Sequence, residues 1–164
     1  MLAKVSELKK LLTTKRKVVI TTHRGPDGDA LGSSLALFHF LKQLGHTVHV
    51  ITPNECADFL HWMPGYDDVL VYEGNEEQAS MITNNSDLIF LLDFSHISRI
   101  SDFGDSVTNS KAVKVMIDHH QDPDVNIADI IFSDPQACST AQLVYEIIYD
   151  AGFISKINKI IAEC

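Results

Sequence analysis

Val113-Lys114-Val115-Met116-Ile117-Asp118-His119-His120 is an apolar, β-type run that ends in one carboxylate and two imidazoles. The pattern occurs twice more. Val18-Val19-Ile20-Thr21-Thr22 leads into His23-Arg24-Gly25-Pro26-Asp27-Gly28-Asp29, and Leu88-Ile89-Phe90-Leu91-Leu92 leads into Asp93. In an open α/β sheet, chemistry gathers beyond the carboxyl ends of the strands. Three strands that deliver acids and imidazoles to one edge predict a metal-centred hydrolase.

Between these runs the chain alternates helix and strand. The periodicity predicts helices over 2–13, 30–44, 56–63, 76–83, 138–149 and 155–164, and strands over 18–22, 48–52, 69–72, 88–92, 113–117 and 127–132. Gly45 and Gly152 are placed to end two of the helices, and Pro53-Asn54 breaks a strand. Ser98 to Ser110 reads as a polar connection. The fold class is α/β: a mostly parallel, twisted sheet with helices on both faces.

Bulk properties set limits on function. With 164 residues the chain is one domain, and its 45% hydrophobic content suffices for a full core. A net charge of −9 leaves no basic track for a long duplex or strand. Lys4, Lys9, Lys10, Lys15, Arg16 and Lys17 cluster near the N-terminus as a solvated helix and turn. Cys56, Cys138 and Cys164 are odd in number and lack CxxC spacing, which predicts a reduced, cytoplasmic chain without a disulfide framework or zinc finger. No apolar run approaches the roughly 18 residues of a bilayer span, so no membrane partner is expected.

A lone Asp29 would be read as the cap of the helix beginning near Ala30, and a lone Asp93 as the cap of the segment after it. In company with His23 and the Asp118-His119-His120 run they read as ligands, with a turn at Gly28 to converge Asp27 and Asp29. Asp93 closes a run apolar on both faces, at a central strand end that faces both neighbouring loops and can lie between two metals. Gly32-Ser33-Ser34 offers small residues where a phosphate could approach backbone N–H groups. His39, His46, His49 and His61 read as structural or surface groups.

Four stretches then resemble the successive motifs of the DHH phosphoesterase superfamily. They are His23-Arg24-Gly25-Pro26-Asp27-Gly28-Asp29-Ala30-Leu31-Gly32-Ser33, Leu92-Asp93-Phe94-Ser95, Asp118-His119-His120 and Cys138-Ser139-Thr140-Ala141. The likeness is nearest to the group containing bacterial nanoRNases, which also remove the 3′-phosphate of phosphoadenosine phosphate (pAp). Some members of that group are exopolyphosphatase-related.

The resemblance implies a Rossmann-like catalytic domain with a dinuclear Mn²⁺ site, Mg²⁺ being the alternative. One ion would be held by His23, Asp27 and Asp93, the other by Asp29, Asp93 and His119, with Asp93 bridging. His120 would contact the scissile phosphate, and Arg99, Ser139 and Thr140 would bind substrate. The implied substrate is a small nucleotide or short oligonucleotide, hydrolysed by water activated between two metals. Relatives add an Asp ligand from a strand beyond the point where this sequence stops, and a separate C-terminal substrate domain. The expectation is therefore an N-terminal domain over 1–164, with a weaker second metal position and exposed apolar surface at Ile157, Ile160 and Ile161. Two alternatives stay open: a family II-like inorganic pyrophosphatase or exopolyphosphatase, and a non-catalytic metal- or nucleotide-binding module. Against the pyrophosphatase, Asp93-Phe94-Ser95-His96 stands where that family usually has Asp-His-Asn-Glu.

Overall fold

The computed structural model describes residues 2–164. In chain order the elements are α1 (Leu2–Leu11), β1 (Lys17–Thr22), α2 (Gly28–Gln43), β2 (Thr47–Thr52), β3 (Val69–Val71) and α3 (Glu76–Asn84). There follow β4 (Leu88–Leu92), α4 (Phe103–Asn109), β5 (Val113–Asp118), β6 (Ile130–Ser133), α5 (Thr140–Asp150) and α6 (Lys159–Glu163). All six strands are parallel, in the order β3-β2-β1-β4-β5-β6. The chain moves outward from β1 through β2 to β3, then returns to the other side of β1 as β4. The β1/β4 boundary is therefore the topological switch point, where an open sheet leaves a crevice.

Register fixes what stands at that crevice. Thr22 pairs with Leu92, and Leu92 with Ile117, so these three residues stand level near the carboxyl ends of β1, β4 and β5. The next residues are His23, Asp93 and Asp118. Alternation of side chains gives the sheet two cores. Val18, Ile20, Phe90, Leu92, Val115 and Ile117 pack with α1, α2 and α5. Val19, Ile89, Leu91 and Met116 pack with α3 and α4. Every residue of β4 is buried, as a central strand covered on both faces requires. At roughly 1.5–3 kcal/mol per buried Leu, Ile or Phe, these strands form a rigid base for their polar ends.

Four local expectations change. The helix expected over 56–63 is a single 3-10 turn, Asp58–Leu60. The polar stretch 98–110 contains α4, because Phe103 and Val107, four residues apart, are both fully buried on one helical face. The C-terminal helix divides into a 3-10 turn, Ile154–Lys156, and α6, whose start is capped by the Asn158 carboxamide accepting the Ile161 N–H. Of Ile157, Ile160 and Ile161, only Ile160 is exposed; Ile161 is buried and Ile157 packs against the main core. The edge strand begins at Ile130, after a turn in which Asp124 accepts the Asn126 N–H. No helix among the described residues is long and apolar enough to cross a membrane.

Candidate metal centre

The loop from β1 to α2 is held at both ends. The Arg24 N–H donates to the Arg99 carbonyl at 2.7 Å, and Gly25, at φ +65°, donates its N–H to the Asn54 side chain at 2.7 Å. Gly25, not Gly28, therefore makes the turn; Gly28 is already the first residue of α2. The cap is Asp27, not Asp29: one Asp27 oxygen accepts the N–H groups of Asp29 and Ala30, both at 3.0 Å. The two aspartates do not converge on one point. Asp27 joins His23 and Asp93, while Asp29 reaches across to α5 and His119.

Asp93 is the centre of the arrangement. It is 2% exposed and sits at φ +63°, a left-handed conformation that aspartate tolerates better than most residues. Its N–H donates to the Ile117 carbonyl at the end of β5, which ties two strand ends together. Oδ2 lies 3.5 Å from His23 Nε2. Oδ1 accepts the Thr140 hydroxyl at 2.8 Å and lies 3.5 Å from His119 Nε2 and 3.8 Å from His120 Nδ1.

Backbone carbonyls orient the two histidines. His23 Nδ1 is 2.9 Å from the Arg24 carbonyl and His119 Nδ1 is 3.3 Å from that of Ala137. A carbonyl only accepts, so both Nδ1 atoms carry hydrogen and both Nε2 atoms are turned to the carboxylates, the nitrogen that a metal-ligating imidazole offers when it carries no proton there. His120 is arranged the other way. Its Nδ1 meets Asp118 Oδ1 at 2.7 Å, and its side chain is 47% exposed.

The charges follow from this packing. The Asp93 hydrogen bond raises the His23 pKa above its usual value, against the lowering effect of burial. Burial alone would push Asp93 up, but hydrogen bonds from His23 and Thr140 and the nearby His23 and His120 charges hold it below the ordinary carboxylate value. For Asp29, burial outweighs the Ala141 and Thr140 N–H groups and raises the pKa.

Two groups can hold a cation: His23, Asp27 and Asp93, and Asp93, His119 and His120. Within each group the donor atoms lie within 4.8 Å of one another, and Asp93 belongs to both. Asp29 borders the second group, 3.6 Å from His119 Nε2. These oxygen and imidazole donors fit Mn²⁺ or Mg²⁺ better than a thiolate metal. A second observation supports the fit. Among the described residues four buried side-chain polar atoms lack a partner, and three of them, on Thr22, Thr52 and Asp118, are on the last residues of β1, β2 and β5. Buried polar atoms are normally satisfied, so this edge has unspent capacity for ions and their water.

The remaining expected residues divide. Ser139 caps α5 by accepting the Gln142 N–H, and Thr140 donates to Asp93 and Asp29, so both are engaged with protein groups. Arg99 is exposed and its side chain makes no ion pair among the described residues, whereas Arg24 pairs with Glu73. Ser33 and Ser34 donate to the Ala30 carbonyl, and Gly32 abuts the Cys164 carbonyl, which leaves no room for a Cβ. That segment serves packing and offers no open phosphate cradle. Sequence reasoning missed the Asn54 side chain and the Ala137 carbonyl, which orient the loop and His119. Neither carries a sequence signal, since each acts through one hydrogen bond across the fold.

A six-stranded parallel sheet with a carboxylate–imidazole centre at its switch point defines a class of α/β proteins. Within it, this chain belongs to the DHH family: residues 17–164 match the model of the DHH family, N-terminal domain. It is 27% identical over 160 residues to the cyclic-di-AMP phosphodiesterase GdpP of Bacillus subtilis (strain 168), covering 93% of this chain and 24% of GdpP. It is 30% identical over 132 residues to the bifunctional oligoribonuclease and PAP phosphatase NrnA of Thermus thermophilus, covering 80% of this chain and 36% of NrnA. The crystal structure of an exopolyphosphatase-related protein from Bacteroides fragilis superposes with a TM-score of 0.96 at 42% identity, over 99% of this chain and 47% of that one. The chain thus spans about a quarter to a half of the lengths of these relatives.

Proposed function

We propose that this chain is the metal-holding part of a manganese-dependent phosphoesterase that hydrolyses small nucleotide phosphoesters, short oligoribonucleotides or pAp among them. The observation that carries the reading is the sharing of Asp93 between two cation-binding groups at the sheet's switch point. The relatives support the substrate class: GdpP acts on a cyclic dinucleotide, and NrnA on oligoribonucleotides and PAP. The position after Asp93 also disfavours a family II pyrophosphatase, since Phe94 is buried in the core behind α3 and α4 and supplies no ligand.

His23, Asp27 and Asp93 would hold one ion; Asp93, His119 and Asp29 would hold the other, with His120 beside it. When bound, two divalent ions supply charge neutralisation at phosphate oxygens and a more acidic attacking water. The protein's own groups do the rest. Buried Asp118 holds His120 by Nδ1, leaving Nε2 turned outward to touch a phosphate oxygen or give a proton to the leaving oxygen. Arg99, exposed and without an ion-pair partner among the described residues, is free to neutralise a second phosphate. With a net charge of −9, the chain neutralises one or two phosphates and not a long backbone. On this reading the activity would be cytoplasmic, without a membrane partner.

The test is turnover of pAp, a diribonucleotide, a long oligonucleotide and pyrophosphate, with Mn²⁺ and after chelation. Hydrolysis of the first two, abolished by chelator and restored by Mn²⁺, is expected. Preference for pyrophosphate or the long strand refutes the substrate class, and chelator-resistant activity refutes the metal.

A further inference from the structure

We infer that Thr140 is a positioning residue that assigns the two oxygens of Asp93 to the two metal positions; the inference rests on the two-metal reading above. Thr140 is fully buried at the first turn of α5 and makes two contacts with the centre from one residue. Its hydroxyl donates to Asp93 Oδ1 at 2.8 Å, and its N–H donates to Asp29 Oδ2 at 2.7 Å. The adjacent Ala141 N–H binds the other Asp29 oxygen at 2.9 Å. The start of α5 therefore grips one carboxylate of α2 and the carboxylate that follows β4.

The consequence for Asp93 is geometric. A carboxylate at a strand end can rotate and exchange its oxygens. A hydroxyl donor on Oδ1 stops that exchange. It holds Oδ1 toward His119 and His120, and so leaves Oδ2 facing His23. Ser139, whose hydroxyl caps the helix, fixes where Thr140 stands. This role differs from a substrate contact: a hydroxyl donating into a buried carboxylate has no second hydrogen to give a phosphate.

Thr140→Val keeps the shape and removes the hydroxyl; Thr140→Ser restores it. Partners that orient metal ligands typically change metal affinity or activity about 10–100-fold when lost. Mn²⁺ binding is read by calorimetry and by the Mn²⁺ paramagnetic resonance signal, with thermal melts to verify folding. The expected result is weakening of about tenfold or more in Thr140→Val, recovery in Thr140→Ser, and a fall in kcat at saturating Mn²⁺ with KM little changed. Thr140→Val with wild-type Mn²⁺ affinity, or with a loss confined to KM, overturns the inference and leaves the two-metal reading standing. A wild-type protein that binds no Mn²⁺ overturns both. If Thr140→Val fails to fold, Thr140→Ser alone decides: altered Mn²⁺ binding in that variant overturns the claim that a hydroxyl suffices.

Discussion

At the amino-terminal ends of the strands, Asp87 and Asp129 each accept a backbone N–H from a neighbouring strand, that of Lys17 at 2.7 Å and that of Lys114 at 2.8 Å. At the carboxyl ends, Asp93 has two histidines within 3.5 Å, and buried Asp118 has one oxygen with no partner at all. The residue type is the same and the uses are opposite. Asp87 and Asp129 are exposed and tied to the backbone, so they finish a sheet edge. Asp93 is buried among imidazoles, an arrangement that only a cation or a proton can balance. What separates the carboxylates of the two edges is therefore burial together with unspent lone pairs, and not position in sequence.

The largest test of this contrast is Asp93→Ala. Loss of the shared ligand disables both metal positions, so turnover should fall on the order of 10³-fold or more, while His120→Ala, which spares the ions, should cost about 10²-fold. Both are measured as kcat/KM on pAp and on a dinucleotide with excess Mn²⁺. Near-wild-type turnover in Asp93→Ala would mean that the buried carboxylate is structural after all, and the distinction between the two edges would collapse.

Asp87→Ala, which removes the acceptor of the Lys17 N–H, sharpens the comparison from the other side. An exposed hydrogen bond to the first residue of β1 contributes modestly, about 0.5–1 kcal/mol, so urea unfolding should show a loss of that size. Turnover and Mn²⁺ affinity should stay unchanged. A strong fall in either would show that the amino-terminal edge is coupled to the site.

The sequence revealed the class of the fold and which residues stand at the carboxyl edge of the sheet, because both follow from repeats of one local pattern. Hydrophobic runs such as Leu88–Leu92 state their own burial, and the acid or imidazole after each run needs only parallel pairing to reach its neighbours. The rest depended on groups far apart in sequence. That Asp27 caps α2 while Asp29 turns to α5 rests on a bond spanning 111 residues, from the Thr140 N–H to Asp29. The spacing of the two aspartates says nothing of that. Ser139 and Thr140 fit a motif, yet only their partners reveal that one caps a helix and the other steadies a carboxylate. The helix at 103–109 was hidden by its polar composition, with two buried apolar side chains carrying it.

The smallest expected effect lies back at the amino-terminal edge, at His46. Its ring is 6% exposed, Nδ1 accepts the Arg16 N–H at 3.1 Å, and Nε2 has no partner. An accepting Nδ1 requires the neutral ring, and burial, helped by the Arg16 charge, lowers the pKa below 6.5. The unfolded chain therefore binds the proton more readily than the folded one. Stability from this residue is complete above about pH 6.5 and declines as the pH falls from there through the lowered folded-state value. In urea unfolding at pH 7.5 and pH 5.5, the wild type should lose more stability on acidification than His46→Asn, which can still accept the Arg16 N–H but cannot be protonated. The chelated protein is the one to use, so that ligand protonation at the metal centre cannot contribute through released Mn²⁺. An equal loss in both proteins would exclude His46 as the source of the acid sensitivity.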